Sequence, residues 1–158
     1  MNKNIIQNTI SFVKKELENA EGGHDWFHIE RVYKNALLIT KTENCNLLIV
    51  ELASLLHDIA DAKFNDGDET IGPKKAQEFL ESQKLELTSI EHIVNIIANM
   101  SYSKSLGNNV LFNSVELRVV QDADRLDAIG AIGVARAFNY GGFKNRQLYN
   151  PNIKPQVN

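Results

Sequence analysis

The 158-residue chain holds one cysteine, no excess of basic residues and no apolar run of membrane-spanning length. A lone thiol, Cys45, cannot close an internal disulfide, and it fits a reducing cytosol. With 17 Lys and Arg against 20 Asp and Glu the net charge is −3, so the basic stripe that marks binding to a nucleic-acid polymer is missing. No segment approaches the roughly 20 apolar residues needed to span a bilayer. The opening Met1-Asn2-Lys3-Asn4-Ile5-Ile6 leads into a charged amphipathic segment, not the apolar block of a secretory leader. These absences favour a cytoplasmic protein with no membrane partner. Strand-like alternation, internal repeats and low-complexity blocks are missing as well. What is present is an ordinary globular composition, 43% hydrophobic and 23% charged. A chain of this length is expected to form one domain and to bury roughly 68–70% of its unfolded surface.

Apolar spacing predicts an all-α fold. Ile6, Ile10, Val13 and Leu17 mark a helix over 3–20, stopped by Gly22-Gly23. Asp25 is a candidate N-cap for a helix over 26–43, and Asn46 for a third over 47–58 that is apolar around its circumference. Residues 65–68 read as a loop, and Pro73 suits the first turn of a fourth helix ending near 83. Thr88 and Glu91 have capping-box spacing for a fifth helix running to about 100. Residues 103–113 read as a loop. Ser114 is a candidate cap for a sixth helix through Leu126, and helix is expected to continue over 128–138. There Gly130 and Gly133 would let another helix approach closely, with Gly141-Gly142 as the stop. From Lys144 onward the chain is polar, with Pro151 and Pro155, and reads as an irregular tail.

The stretch Leu52-Ala53-Ser54-Leu55-Leu56-His57-Asp58-Ile59-Ala60-Asp61 stands out. A solidly apolar helix runs into adjacent ionisable side chains, which are costly to bury unless they are paired or bind metal. Candidate partners are His28 and Asp122, on other helices. Two imidazoles and two carboxylates form a mixed nitrogen and oxygen set suited to one divalent ion: Mn, Mg, Fe, Co, Ni or Zn. Such a set leaves coordination positions for water and for a substrate oxygen, as metal-assisted hydrolysis requires. Asp61 shares the face of His57 and Asp58 if helix continues, and is a candidate general base or orienter of a ligand. Arg125, Lys63 and Arg31 are cations suited to an anionic substrate, and His24 precedes the second helix as a possible pocket residue. A His-Asp dipeptide arises often by chance, so the residues alone do not single out this set.

Three words sharpen the reading. His24-Asp25-Trp26-Phe27-His28-Ile29-Glu30-Arg31-Val32, Leu55-Leu56-His57-Asp58-Ile59 and Gln121-Asp122-Ala123-Asp124-Arg125-Leu126-Asp127-Ala128-Ile129-Gly130-Ala131 resemble the HD-domain superfamily of metal-dependent phosphohydrolases. They are similar in particular to its small stand-alone bacterial branch of the YedJ type. The likeness covers residues 5–143. It implies an all-α bundle, one ion held by His28, His57, Asp58 and Asp122, and a small phosphorylated substrate such as a nucleotide, hydrolysed by a metal-bound water. It also implies that residues 1–143 form the HD-type domain. Relatives usually carry further helices beyond this point, so 144–158 is expected to be a tail or a truncated C-terminal part.

The remaining ionisable residues have plainer readings. Asp124 and Asp127 are expected to cap or pair structurally, His92 to sit on a solvated face, and Cys45 to be an inert thiol. Asp66-Gly67-Asp68-Glu69 lacks the twelve-residue calcium pattern. Two other classes stay open: a non-catalytic metal- or nucleotide-binding regulator, and a di-iron oxygenase on the same fold, which needs His92 or His24 as an extra ligand. A (p)ppGpp hydrolase would carry a further acidic pair after the His-Asp, where only Asp61 is in place.

Overall fold

The computed structural model describes residues 2–18, 20, 23–60, 68–101 and 112–154. Among them lie seven α-helices and no strand: α1 (Asn2–Glu16), α2 (Trp26–Ile39), α3 (Leu47–Leu56), α4 (Ile71–Ser82), α5 (Leu87–Ala98), α6 (Val115–Leu126) and α7 (Gly130–Phe143). The fold is all-α, as the apolar spacing predicts. None of these helices is long and apolar enough to cross a membrane.

The most apolar helix is the central one. Ile49, Val50, Leu52, Ala53, Leu55 and Leu56 of α3 are all buried, because α3 packs against α1, α2, α5 and α6. Each fully buried aliphatic side chain contributes about 1.5–3 kcal/mol. Ser54, the polar member of this run, donates its hydroxyl to the Glu51 carbonyl at 3.0 Å. Phe12 stacks on Phe79 with ring centroids 4.3 Å apart and so ties α1 to α4. The His-Asp pair at the end of α3 is thereby held on the most deeply packed element of the molecule.

Three helix starts follow the expected chemistry. Asp25 accepts from the His28 amide, Asn46 from the amides of Leu48 and Ile49, and Ser114 from that of Leu117. Each satisfies a donor that the first helical turn leaves without a partner. Four other expectations fail. The helix α5 begins at Leu87 with Glu86 at its N-cap, so Thr88 lies inside the helix and the capping box is not made. The α4–α5 connection is tight, with Lys84 in the left-handed region at φ 57°, and helix resumes before Thr88 can cap it.

Helix is also interrupted between Leu126 and Gly130. Gly130 takes φ +67°, which favours glycine, and a Cβ at Gly133 would run into the Ala128 carbonyl. The glycine pair therefore permits a sharp α6–α7 turn, not the approach of another helix. Gly141 and Gly142 fall within the last turn of α7, which runs to Phe143. Residues 144–154 form turns and bends.

Candidate metal centre

Three elements converge at one end of α3. His28 is in the first turn of α2, where the Asp25 cap fixes the backbone. His57 is the C-cap of α3 and Asp58 follows it. His28, His57 and Asp58 each offer a ligand atom, and these atoms lie within 4.8 Å of one another. Asp124 of α6 joins them, its Oδ1 3.5 Å from His28 Nε2 and 3.8 Å from His57 Nε2. Asp58 Oδ2 is 3.8 Å from His28 Nε2. These separations are too long for strong hydrogen bonds. They are close to the spacing of about 3–3.5 Å between atoms that each bind one ion at about 2.1 Å.

Both imidazoles are anchored through Nδ1. His57 Nδ1 lies 2.9 Å from the Ser54 carbonyl, which can only accept, so Nδ1 carries the proton and Nε2 a bare lone pair. That Nε2 is buried and has no hydrogen-bond partner, alone in this among the buried side-chain nitrogen and oxygen atoms of the described residues. An orphaned buried acceptor is costly, and a divalent ion would satisfy it. His28 Nδ1 lies 2.8 Å from Asp127 Oδ2. Burial, followed by the neighbouring His57 ring and the Arg136 guanidinium, pushes the His28 pKa down to about 4, so the ring is neutral at pH 7. The neutral His28 ring and the Nδ1-anchored His57 ring, each presenting Nε2 toward the carboxylates, fit a borderline or hard divalent ion.

The structure corrects one expected ligand. Asp122 is exposed, its side chain 64% accessible and 3.9 Å from Arg125 Nη1. On α6 the inward face passes through Leu117, Val120, Asp124 and Asp127, spaced three, four and three apart. Asp122 is about 200° round the helix from Asp124. The signal was available: Asp124 and Asp127 continue the apolar stripe that Leu117 and Val120 begin. Asp124, expected to be structural, is the α6 carboxylate that meets both imidazoles.

The cations also fall differently. Arg31 places Nε 2.6 Å from Asp127 Oδ1 and Nη2 3.0 Å from Oδ2, so its guanidinium is engaged by a protein carboxylate. Arg125 Nη1 lies 3.9 Å from Asp122 Oδ1, and its side chain is partly exposed. Arg136, which sequence reasoning passed over, reaches Asp127 Oδ2 at 3.1 Å and the Gly23 carbonyl at 3.0 Å. Burial raises the Asp127 pKa, but hydrogen bonds from Arg31 and His28, with the Arg31 charge, outweigh it and hold the group below the usual carboxylate range. His24 stands at the edge of the cluster, its ring 6.2 Å from His28 and 6.3 Å from Tyr140. Asp61 and Lys63 lie outside the described residues, as do the loop residues 103–111.

His92 sits elsewhere, 3.1 Å from Ser114 Oγ and 3.5 Å from Glu116 Oε2. It therefore supplies no extra ligand to this cluster, which leaves His24 as the one histidine an oxygenase reading could add. Burial first, and then Glu116 and Glu43, raise the Cys45 pKa, in keeping with an unreactive thiol.

The comparisons with known proteins give the family. Residues 26–129 match the model of the HD domain. The chain is 38% identical to YpgQ of Bacillus subtilis (strain 168) over 141 residues, 88% of this chain and 67% of that protein. It is 32% identical to protein L803 of Acanthamoeba polyphaga mimivirus, covering 75% of this chain but 53% of L803. A crystal structure described as an HD-superfamily hydrolase from Bacillus thuringiensis superposes with a TM-score of 0.75 at 44% identity, covering 98% of this chain and 74% of that one. YpgQ has been solved in complex with ADP and superposes with a TM-score of 0.72, at 36% identity over 93% of this chain and 73% of that one. A family match across most of the chain, with the two imidazoles and the His-Asp pair inside it, is decisive: the chain belongs to the HD-domain family.

Proposed function

We propose that the protein is a metal-dependent phosphohydrolase acting on the phosphate ester of a nucleotide or a related small metabolite. The observation that carries this reading is the pair of buried imidazoles, each anchored through Nδ1 with Nε2 turned toward a carboxylate, and one of them with an orphaned nitrogen. His28, His57, Asp58 and Asp124 would hold the ion. When bound, a divalent ion supplies a Lewis acid to the phosphoryl oxygens and lowers the pKa of water. The chain's own part is orientation and proton handling. His57 and His28 hold fixed tautomers, and Asp61 is assigned the proton of the attacking water. His24 and Lys63 are assigned to the anionic substrate. The ADP complex of YpgQ supports a nucleotide as the substrate class.

The test is elemental analysis of purified wild type and Asp58→Ala, with a phosphatase screen over nucleoside phosphates in Mn, Mg, Co and Fe. Near one ion per chain, lost with turnover in the variant, is the expected result. Ion uptake without turnover on any phosphate would assign the site to binding alone, and a wild type that takes up no ion would refute the reading.

A further inference from the structure

We propose that Asp127 is the positioning residue of this centre: it fixes the His28 ring with Nε2 facing Asp58 and Asp124, and Arg31 and Arg136 serve to hold Asp127 rather than to bind substrate. The proposal rests on the reading of the cluster as a metal site.

Asp127 is 2% exposed at its side chain, yet its carboxylate is fully engaged. Oδ2 accepts from His28 Nδ1 at 2.8 Å, Arg31 Nη2 at 3.0 Å and Arg136 Nη1 at 3.1 Å, and Oδ1 accepts from Arg31 Nε at 2.6 Å. Three of these contacts fall on Oδ2 and one on Oδ1, so the oxygen that faces His28 is already crowded with donors. As a pure acceptor it obliges Nδ1 to carry the proton, which leaves Nε2 bare. The Arg31 contact is bidentate, the geometry that fixes a carboxylate plane most firmly. Arg136 also donates to the Asp127 carbonyl at 3.3 Å and to Gly23 at 3.0 Å. It thus binds the α6–α7 turn to the segment ahead of α2.

The two imidazoles are oriented by different means. His57 is set by the carbonyl of Ser54, three residues back on its own helix. His28 is set by a side chain 99 residues away. A change at Asp127 should therefore disturb His28 and spare His57, a selectivity that general loosening of the fold would not produce.

The experiment combines ¹⁵N-histidine NMR of the metal-free protein with calorimetric titration of Mn²⁺, on wild type, Asp127→Ala and Asp127→Asn. In the wild type both rings should carry the proton on Nδ1. In Asp127→Ala the His28 signals should move toward the Nε2–H form, those of His57 should hold, and Mn²⁺ affinity should fall about 10–100-fold. Asp127→Asn, which keeps an acceptor oxygen, should recover part of that loss. An unchanged His28 tautomer with wild-type affinity in Asp127→Ala would overturn the proposal. So would a wild-type His28 protonated on Nε2, a result that needs no folded variant. If wild type and His28→Ala are alike in their response to Mn²⁺, the metal reading fails, and the wild-type spectrum still decides the role of Asp127.

Discussion

Exchanging the two aspartates of α6 separates geometry from sequence pattern. Asp124 Oδ1 is the α6 oxygen within 4 Å of both imidazoles, whereas Asp122 faces solvent beside Arg125. Loss of a partner that merely orients a ligand costs 10–100-fold in metal affinity, so loss of a ligand should cost at least about 100-fold. An ion at 100 times its Kd stabilises the folded state by about 2.7 kcal/mol. For a chain of this size that is a rise in Tm of roughly 5–11 °C. At the same Mn²⁺ concentration Asp124→Asn should bind near its weakened Kd, which leaves about 0.4 kcal/mol and a rise of roughly 1–2 °C. Asp122→Asn removes an exposed pair whose contribution is about 0–1 kcal/mol, so its Mn²⁺-induced rise should match the wild type. Differential scanning fluorimetry with and without Mn²⁺ reads all three proteins. A full rise in Asp124→Asn together with none in Asp122→Asn would refute the assignment.

Two further outcomes test the frame around the site. Leu56 is fully buried immediately before His57, and Leu56→Ala should lower stability to urea by about 2–5 kcal/mol; a loss below about 1 kcal/mol would mean that α3 is not the packed centre. Burial raises the Glu116 pKa, but the Asn46 amide, 2.9 Å from Oε1, and the His92 charge outweigh it and leave the folded value below the ordinary one. A depressed carboxyl contributes stability above its unfolded pKa, about 4.3, and loses it as pH falls through the lower folded value. Glu116→Gln should therefore flatten the acid limb of a stability–pH curve below about pH 4.3; an unchanged limb would contradict the shift.

The sequence carries local information well and distant pairing poorly. Asp25, Asn46 and Ser114 were legible as caps because a cap acts within three residues of itself. His57 and Asp58 stood out because a polar pair at the end of an apolar helix demands a partner, and the resemblance of the word around His28 brought that residue to them. The α6 carboxylate that faces the imidazoles lies two residues from the expected one: the motif contains three aspartates, and only the rotation of the helix, fixed by Leu117 and Val120 packing inward, selects among them. The engagement of Arg31 by Asp127 spans 96 residues and the Arg136 contact to Gly23 spans 113, and no spacing rule in one sequence connects such pairs. Thr88 and Gly133 misled because the α4–α5 and α6–α7 turns are tighter than their composition suggests.

The 99 residues between His28 and Asp127 also set a schedule. At a synthesis rate of about 5–20 residues per second, roughly 5–20 s separate the appearance of the two partners. During that interval the emerging chain carries His28, His57 and Asp58 without Asp124, and without the carboxylate that orients His28. On the proposed metal reading, ion capture by the complete donor set would wait until α6 leaves the ribosome, after most of the described helices have been made.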